Sequence, residues 1–409
     1  MKFVVAPDSF KGCMSAKRAA EAIRDGLSRV FPDAEYALVP MADGGEGTVQ
    51  ALVDATGGVL RTATVLGPLQ RPVNAVYGLL GNLGDLEHEP IGLKTGDSAG
   101  GAADGHATVP ECTAVIEMAA ASGIQFVDDH TRNPLETTTF GTGQLIRRAL
   151  DDGARTIMLG LGGSATNDGG AGMAEALGVR FLDAAGNPIP RGGGHLDRLE
   201  RIDVSGLDPR LAGTRMIIAS DVTNPLIGPN GASAVFGPQK GATPQMVARL
   251  DANLAHYAQV AERATGLDVA HVPGSGAAGG LGAGLLAFTG ATMRAGVEVV
   301  ADAARLAARA ADADWCFTGE GGIDAQTQYG KTPVGVARAV HDGNPRIRVV
   351  ALAGHVGDGI EELYDMGIDA IFGIVPGTMT LDKALADGPE NLARTAENVA
   401  RLIRAGGGR

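Results

Sequence analysis

The stretch GLGGSATNDGGAG, residues 160–172, carries six glycines around four short polar side chains, Ser164, Thr166, Asn167 and Asp168. The apolar residues 156–159 feed into it, and residues 173–177 leave it with helical spacing, so it reads as strand, loop and helix start. Glycines let a backbone wrap an anion closely, and the free N–H groups of a helix start donate to that anion. A simple tight turn needs neither so many glycines nor this mixture of hydroxyl, amide and carboxylate. The loop is therefore expected to form part of a site.

The same grammar recurs at both ends of the chain. Residues 3–6 form an apolar run that empties into Pro7-Asp8-Ser9-Phe10-Lys11-Gly12, and a helix capped by Ser15 follows. A second strand, residues 34–39, leads to Asp43-Gly44-Gly45-Glu46-Gly47 and another helix. Near the other end, residues 314–318 run into a loop, Gly319-Glu320-Gly321-Gly322-Ile323-Asp324, and a helix begins at Thr332-Pro333. Residues 348–353 and 370–375 are continuous apolar runs, as buried parallel strands are. Residues 59–80 instead alternate like antiparallel strands turning at Gly67-Pro68, and Thr243-Pro244 opens a long helix. Residues 301–311 read as one alanine-rich amphipathic helix. The expected fold is two-domain α/β. A Rossmann-like parallel-sheet domain, residues 1–58 and 290–409, receives an inserted α/β domain, residues 59–289, and the site lies in the cleft between them.

Composition narrows the function. A net charge of −13 with no Lys/Arg cluster argues against nucleic acid as a partner. No apolar run reaches transmembrane length and the N-terminus lacks a signal-peptide pattern, so no membrane association is expected. Cys13, Cys112 and Cys316 form no close pair, which suits a reducing, cytoplasmic setting. The histidines lack ligand spacing, so zinc is not expected. Oligomeric state is open, with a homodimer among the options.

Carboxylates just after strands are the residues to weigh: Asp8, Asp43, Glu46, Asp168, Asp221, Glu320 and Asp324. Each alone could cap a turn, but together they suit a metal site. Gly330-Lys331-Thr332 resembles the end of a P-loop, yet Ala325 stands where that motif needs glycine. Gly274-x-Gly276-x-x-Gly279 fits the dinucleotide fingerprint, but the segment before it is a weak strand. Residues 274–284 are read instead as a nucleotide-phosphate loop.

Eight long motifs are similar to those of the bacterial type 1 glycerate kinases: APDSFKG (6–12), PMADGGEGT (40–48), RNPLETTTFGTG (132–143), GLGGSATNDGGAGM (160–173), NPLIGPNGASAVFGPQKGA (224–242), GSGAAGGLGAGLLAF (274–288), TGEGGID (318–324) and GKTPVGVA (330–337). The resemblance spans nearly the whole chain. It implies two α/β domains, ATP and Mg²⁺ as cofactors, D-glycerate as substrate and phosphoglycerate as product, with 2-phosphoglycerate favoured. A kinase for another small hydroxy acid and a catalytically weakened nucleotide-binding regulator are the alternatives. Two departures stand out. Residues 82–110 look longer than the family carries, and Gly322 occupies a position where the family pattern has arginine.

Phosphoryl transfer needs a metal, cations near the phosphates and an acceptor for the hydroxyl proton. With the resemblance added, Asp221, Glu320 and Asp324 are the expected metal ligands. Asp168 is the expected proton acceptor, with Asp43 and Lys11 also catalytic. Asp8, Ser9, Arg132, Ser164, Thr166 and Asn167 are expected to bind substrate, Arg132 by clamping its carboxylate. Gly162, Gly163, Gly276, Gly279, Gly280, Gly319 and Lys331 are expected to hold the nucleotide.

Overall fold

A computed structural model describes residues 1–81 and 112–406; the insertion expected at 82–110 lies outside the described residues. Among the described residues thirteen strands follow in chain order: β1 (Lys2–Val5), β2 (Glu35–Leu38), β3 (Val59–Leu66), β4 (Pro72–Leu79), β5 (Thr113–Glu117), β6 (Thr156–Gly160), β7 (Arg180–Leu182), β8 (Arg201–Asp203), β9 (Arg215–Ala219), β10 (Thr292–Arg294), β11 (Trp315–Ile323), β12 (Arg348–Val356) and β13 (Ala370–Gly373).

Both ends of the chain build one five-stranded sheet in the order β13-β12-β11-β1-β2, parallel throughout. The middle builds a six-stranded sheet, β10-β9-β6-β5-β4-β3. Its first four strands are parallel, and β4 and β3 join antiparallel, as the alternation of residues 59–80 predicts. The two-domain α/β expectation is met.

The two sheets share packing. Met41 and Leu52 from one end of the chain lie in a single apolar cluster with Met158 and Ile217 of the six-stranded sheet and with Val297, Val334 and Val349. Helices Thr48–Thr56 and Gly296–Ala303 thus sit between the sheets. Each fully buried leucine there, such as Leu52, contributes about 2 kcal/mol by burial alone. This shared core fixes the strand ends of one sheet against those of the other.

Two local readings are corrected. The segment 319–323 is not loop but the continuation of β11, pairing with β12 as far as Ile323 opposite Val356. Gly319 allows this, since a Cβ there would lie 2.0 Å from the Leu352 carbonyl oxygen. The alanine-rich helix is two helices, Gly296–Ala303 and Leu306–Ala310, broken where Arg305 adopts φ 52°.

Candidate functional site

Three adjacent strands, β11, β1 and β2, deliver Glu320, Asp8 and Asp43 to the same edge of the five-stranded sheet. Past β1 the chain keeps pairing, with the Asp8 amide on the Gly319 carbonyl (2.9 Å) and the Met41 amide on the Pro7 carbonyl (2.9 Å). Residues 8 and 43 therefore leave the sheet side by side. Ligands of open α/β sheets bind at this carboxyl edge.

The second sheet closes in through the 43–47 turn. A Cβ on Gly296 would stand 1.8 Å from the Asp43 carbonyl oxygen, and one on Gly160 would stand 2.4 Å from the Gly44 oxygen. Only glycine tolerates such approaches. Gly162, exposed on the other side, lies near Gly45 more loosely, a Cβ there standing 3.2 Å from the Gly45 Cα. Beyond β9, Asp221 accepts a hydrogen bond from the Gly296 amide (3.1 Å). Asp221 thereby joins the group from across the junction.

Two of these carboxylates are shifted far upward. Burial pushes the Glu320 carboxyl up to about 7; Lys331 and Lys11 pull it down, and the charges of Asp8 and Asp43 push it further up. Its Oε1 is buried without a hydrogen-bond partner. Asp221 is pushed up to about 6 by partial burial and by the charges of Asp43 and Glu298, against the pull of its Gly296 bond. Carboxylates raised by burial and by a common neighbour, Asp43, one of them with an orphaned oxygen, fit a bound divalent cation that would hold them ionised. Among the described residues no three His, Cys, Asp or Glu side chains alone form a metal-holding group, so substrate or water oxygens would complete the shell.

Asp8 has another part. Burial raises its carboxyl above the usual range, and both oxygens are engaged, one by the Ser9 amide (2.5 Å) and one by the Thr332 hydroxyl (2.6 Å). It ties the first loop to the start of helix Thr332–Gly343, whose preceding residue is Lys331. Asp43 is half-buried, with one oxygen accepting from the Gly45 amide (3.0 Å). A cavity of about 320 Å³ opens beside them, lined by Asp8, Ser9, Lys11, Glu46 and Gln50. Its volume suits a small ligand.

Other expected site residues lie elsewhere. Asp324 caps the turn Ala325–Tyr329, accepting the Gln326 amide (2.8 Å), and lies 3.7 Å from Lys331 rather than among the other carboxylates. Asp168 is fully buried and saturated. It accepts from the amides of Thr139 (2.8 Å), Gly170 (3.1 Å) and Gly172 (3.3 Å) and from the hydroxyls of Thr138 (3.2 Å) and Thr139 (3.0 Å). Such a carboxylate organises the helix start at Gly170-Ala171 from within and presents no free lone pair to a substrate.

Gly276, Gly279 and Gly280 are likewise buried. Side chains there would strike the Pro225 carbonyl oxygen (2.1 Å), the Thr166 oxygen (1.9 Å) and the Leu226 side chain (2.7 Å). These glycines serve backbone packing, which leaves no open phosphate loop at 274–284. Thr166 and Asn167 are buried in the same region. Arg132, its side chain against Gly241, pairs with Asp129 (3.0 Å), and Ser164 bridges to Gly123. Gly163 is exposed next to Gly162.

Two residues escaped the sequence reading. Glu117, at the end of β5, accepts the Val49 amide (2.9 Å) and so fixes the start of helix Thr48–Thr56 behind the 43–47 turn. It follows an apolar run as the other strand-end carboxylates do, so the signal was present. Thr332 was visible only as a helix start; its contact with Asp8, 324 positions away, carried no local signal.

Carboxylates and lysines gathered at parallel-strand ends, at the junction of two α/β units, suit the class of enzymes that handle small anionic substrates, small-molecule phosphotransferases among them. Comparison with known proteins gives the particular group. The chain belongs to the glycerate kinase family, which it matches over residues 3–404. It is 49% identical to the glycerate kinase of Halalkalibacterium halodurans, with 97% of each chain covered. It is 47% identical to the glycerate 2-kinase of Escherichia coli K12, over 99% of each. A crystal structure from Salmonella typhimurium LT2, described as a candidate glycerate kinase 2, superposes with a TM-score of 0.84 at 48% identity, with 99% of each chain covered.

Proposed function

We propose that this protein transfers the γ-phosphoryl group of ATP to the 2-hydroxyl of D-glycerate, giving 2-phosphoglycerate and ADP with Mg²⁺ as the metal. Family membership carries the substrate, and the convergence of Asp43, Asp221 and Glu320 with Lys11 and Lys331 carries the location. Asp221 and Glu320 would hold Mg²⁺, which neutralises phosphate charge during transfer. Lys11 and Lys331 face the anionic groups of the two substrates. Asp43, whose position is set by the Gly45 amide, takes the hydroxyl proton as the glycerate oxygen bonds to the γ-phosphorus and the bridging bond to ADP breaks. The backbone of Gly162 and Gly163 borders the same space. The division is taken near 1–58, 59–289 and 290–409, with β10 (Thr292–Arg294) counted to the inserted unit because it pairs with β9, and substrates would bind where the units meet.

Among the described residues no helix is long and apolar enough to cross a membrane, and Cys13, Cys112 and Cys316 are all free. A cytoplasmic setting suits the thiols. The test is ADP release with D-glycerate, ATP and Mg²⁺, with ³¹P NMR of the product. The reading predicts glycerate-dependent release and a phosphorus signal coupled to one proton, as on C2. Coupling to two protons would assign the 3-position, and the absence of release would overturn the reading.

A further inference from the structure

Of the largest fully buried side chains among the described residues, Lys240 is the one lysine, 1% exposed at the end of the short turn Pro238–Lys240. Its Nζ donates to the carbonyl oxygen of Thr166 at 2.7 Å. Burial lowers its pKa to about 7, against the opposing pull of Asp168. An ammonium taken out of water is costly, and an apolar side chain of the same length would fill the space without that penalty. What the ammonium adds is a grip on one backbone oxygen.

That oxygen belongs to a segment stapled from several sides. Thr137 donates its hydroxyl to the Ala165 carbonyl (2.8 Å), and the Asn167 amide group donates to Ser233 (2.9 Å). Gly279 packs onto the same Thr166 oxygen. On the other side of Ser164, the Gly163 carbonyl accepts from Ile124 (2.8 Å), and Gly162 lies against Gly45. Thr166 is thus four positions along the chain from Gly162, which lies against the turn that borders Asp43.

We propose that Lys240 is a positioning residue for phosphoryl transfer: through Thr166 it anchors residues 164–168, so that Gly162 and Gly163 keep their place beside the Asp43–Gly47 turn. This rests on the function proposed above. Misplacement of reacting groups by about an ångström costs on the order of 100-fold in rate, so the loss falls on kcat.

The test compares Lys240→Met, which fills most of the space without the charge or the bond, with Lys240→Gln, equally one atom shorter but keeping an amide donor. Turnover per folded molecule and hydrogen exchange of residues 160–169 are both measured. Expected for Lys240→Met are a kcat lower by at least 10-fold, KM values within about 3-fold, and faster exchange confined to 160–169 and its neighbours. Lys240→Gln should fall between Met and wild type on both readouts. A purely structural lysine would lower the melting temperature and leave kcat per folded molecule and local exchange unchanged, which would overturn the proposal; so would Gln no better than Met. If Met does not fold, Gln against wild type still decides, because unchanged kcat together with unchanged exchange refutes the anchor. Wild-type protein inactive on glycerate would sink the proposed function, while the exchange comparison would still judge the anchor.

Discussion

Replacing Asp168 should unfold the protein more readily rather than disarm it. Its carboxylate satisfies three backbone amides, those of Thr139, Gly170 and Gly172, at a fully buried position. Alanine would orphan all three at about 1–3 kcal/mol each. Relief of the buried charge offsets part of that, and a net loss of about 4 kcal/mol is expected. Asparagine should be nearly as harmful. Oδ1 accepts from the Gly170 amide and Oδ2 from those of Thr139 and Gly172, so either orientation of an amide group sets NH₂ against a backbone N–H. The assay is urea unfolding followed by far-UV circular dichroism, paired with turnover corrected to the folded fraction. Both variants should show a clearly lower midpoint. A midpoint equal to wild type in Asp168→Asn, with turnover down 100-fold, would refute this reasoning and return Asp168 to the role of proton acceptor.

Two further outcomes follow from the strand-end carboxylates. Glu320 rises from 4.5 to about 7 and Asp221 from 3.8 to about 6 on folding, so between those limits the folded state holds more protons than the unfolded one. Stability of the metal-free protein should therefore fall as pH rises from about 4 to 7. Depressed carboxylates such as Asp203, at about 2, act below that window, and Lys240 acts above it. Melting temperatures in EDTA at pH 5 to 8 check this, and the rise on adding Mg²⁺ should grow with pH; a larger Mg²⁺ effect at pH 5 would contradict it. Gly322→Arg should fold normally, since a Cβ there meets nothing within 4 Å. Two residues along β11 from Glu320, position 322 shares its face. The added guanidinium should lower the KM of one anionic substrate by roughly 5-fold, about 1 kcal/mol; unchanged KM values for both would show that the existing lysines suffice.

Much of this was legible in the chain. Asp8 and Asp43 could be found because each follows an apolar run and stands in or near a glycine-containing turn, and parallel strands send such turns to one edge; Glu320 also follows an apolar run, although its glycines continue β11 rather than turn. Asp168 meets the same criteria yet is buried and saturated, because sequence does not say whether a carboxylate faces a cleft or caps a helix from inside. The glycines at 276, 279 and 280 illustrate the same ambiguity, since the absent side chain that admits a phosphate also admits a neighbouring backbone. The Asp8–Thr332 contact and the seat of Lys240 beneath Thr166 are products of tertiary packing between distant segments, and no local pattern encodes them.

The most direct test of the site is the kcat of Asp43→Asn with D-glycerate and MgATP. Asp43 is half-buried and makes one backbone hydrogen bond through Oδ1, which an asparagine oxygen can replace, so the fold should hold. Loss of the proton acceptor predicts a fall of roughly 100-fold or more in kcat with an unchanged melting temperature. Turnover within about 3-fold of wild type would move the chemistry away from the ends of β1, β2 and β11.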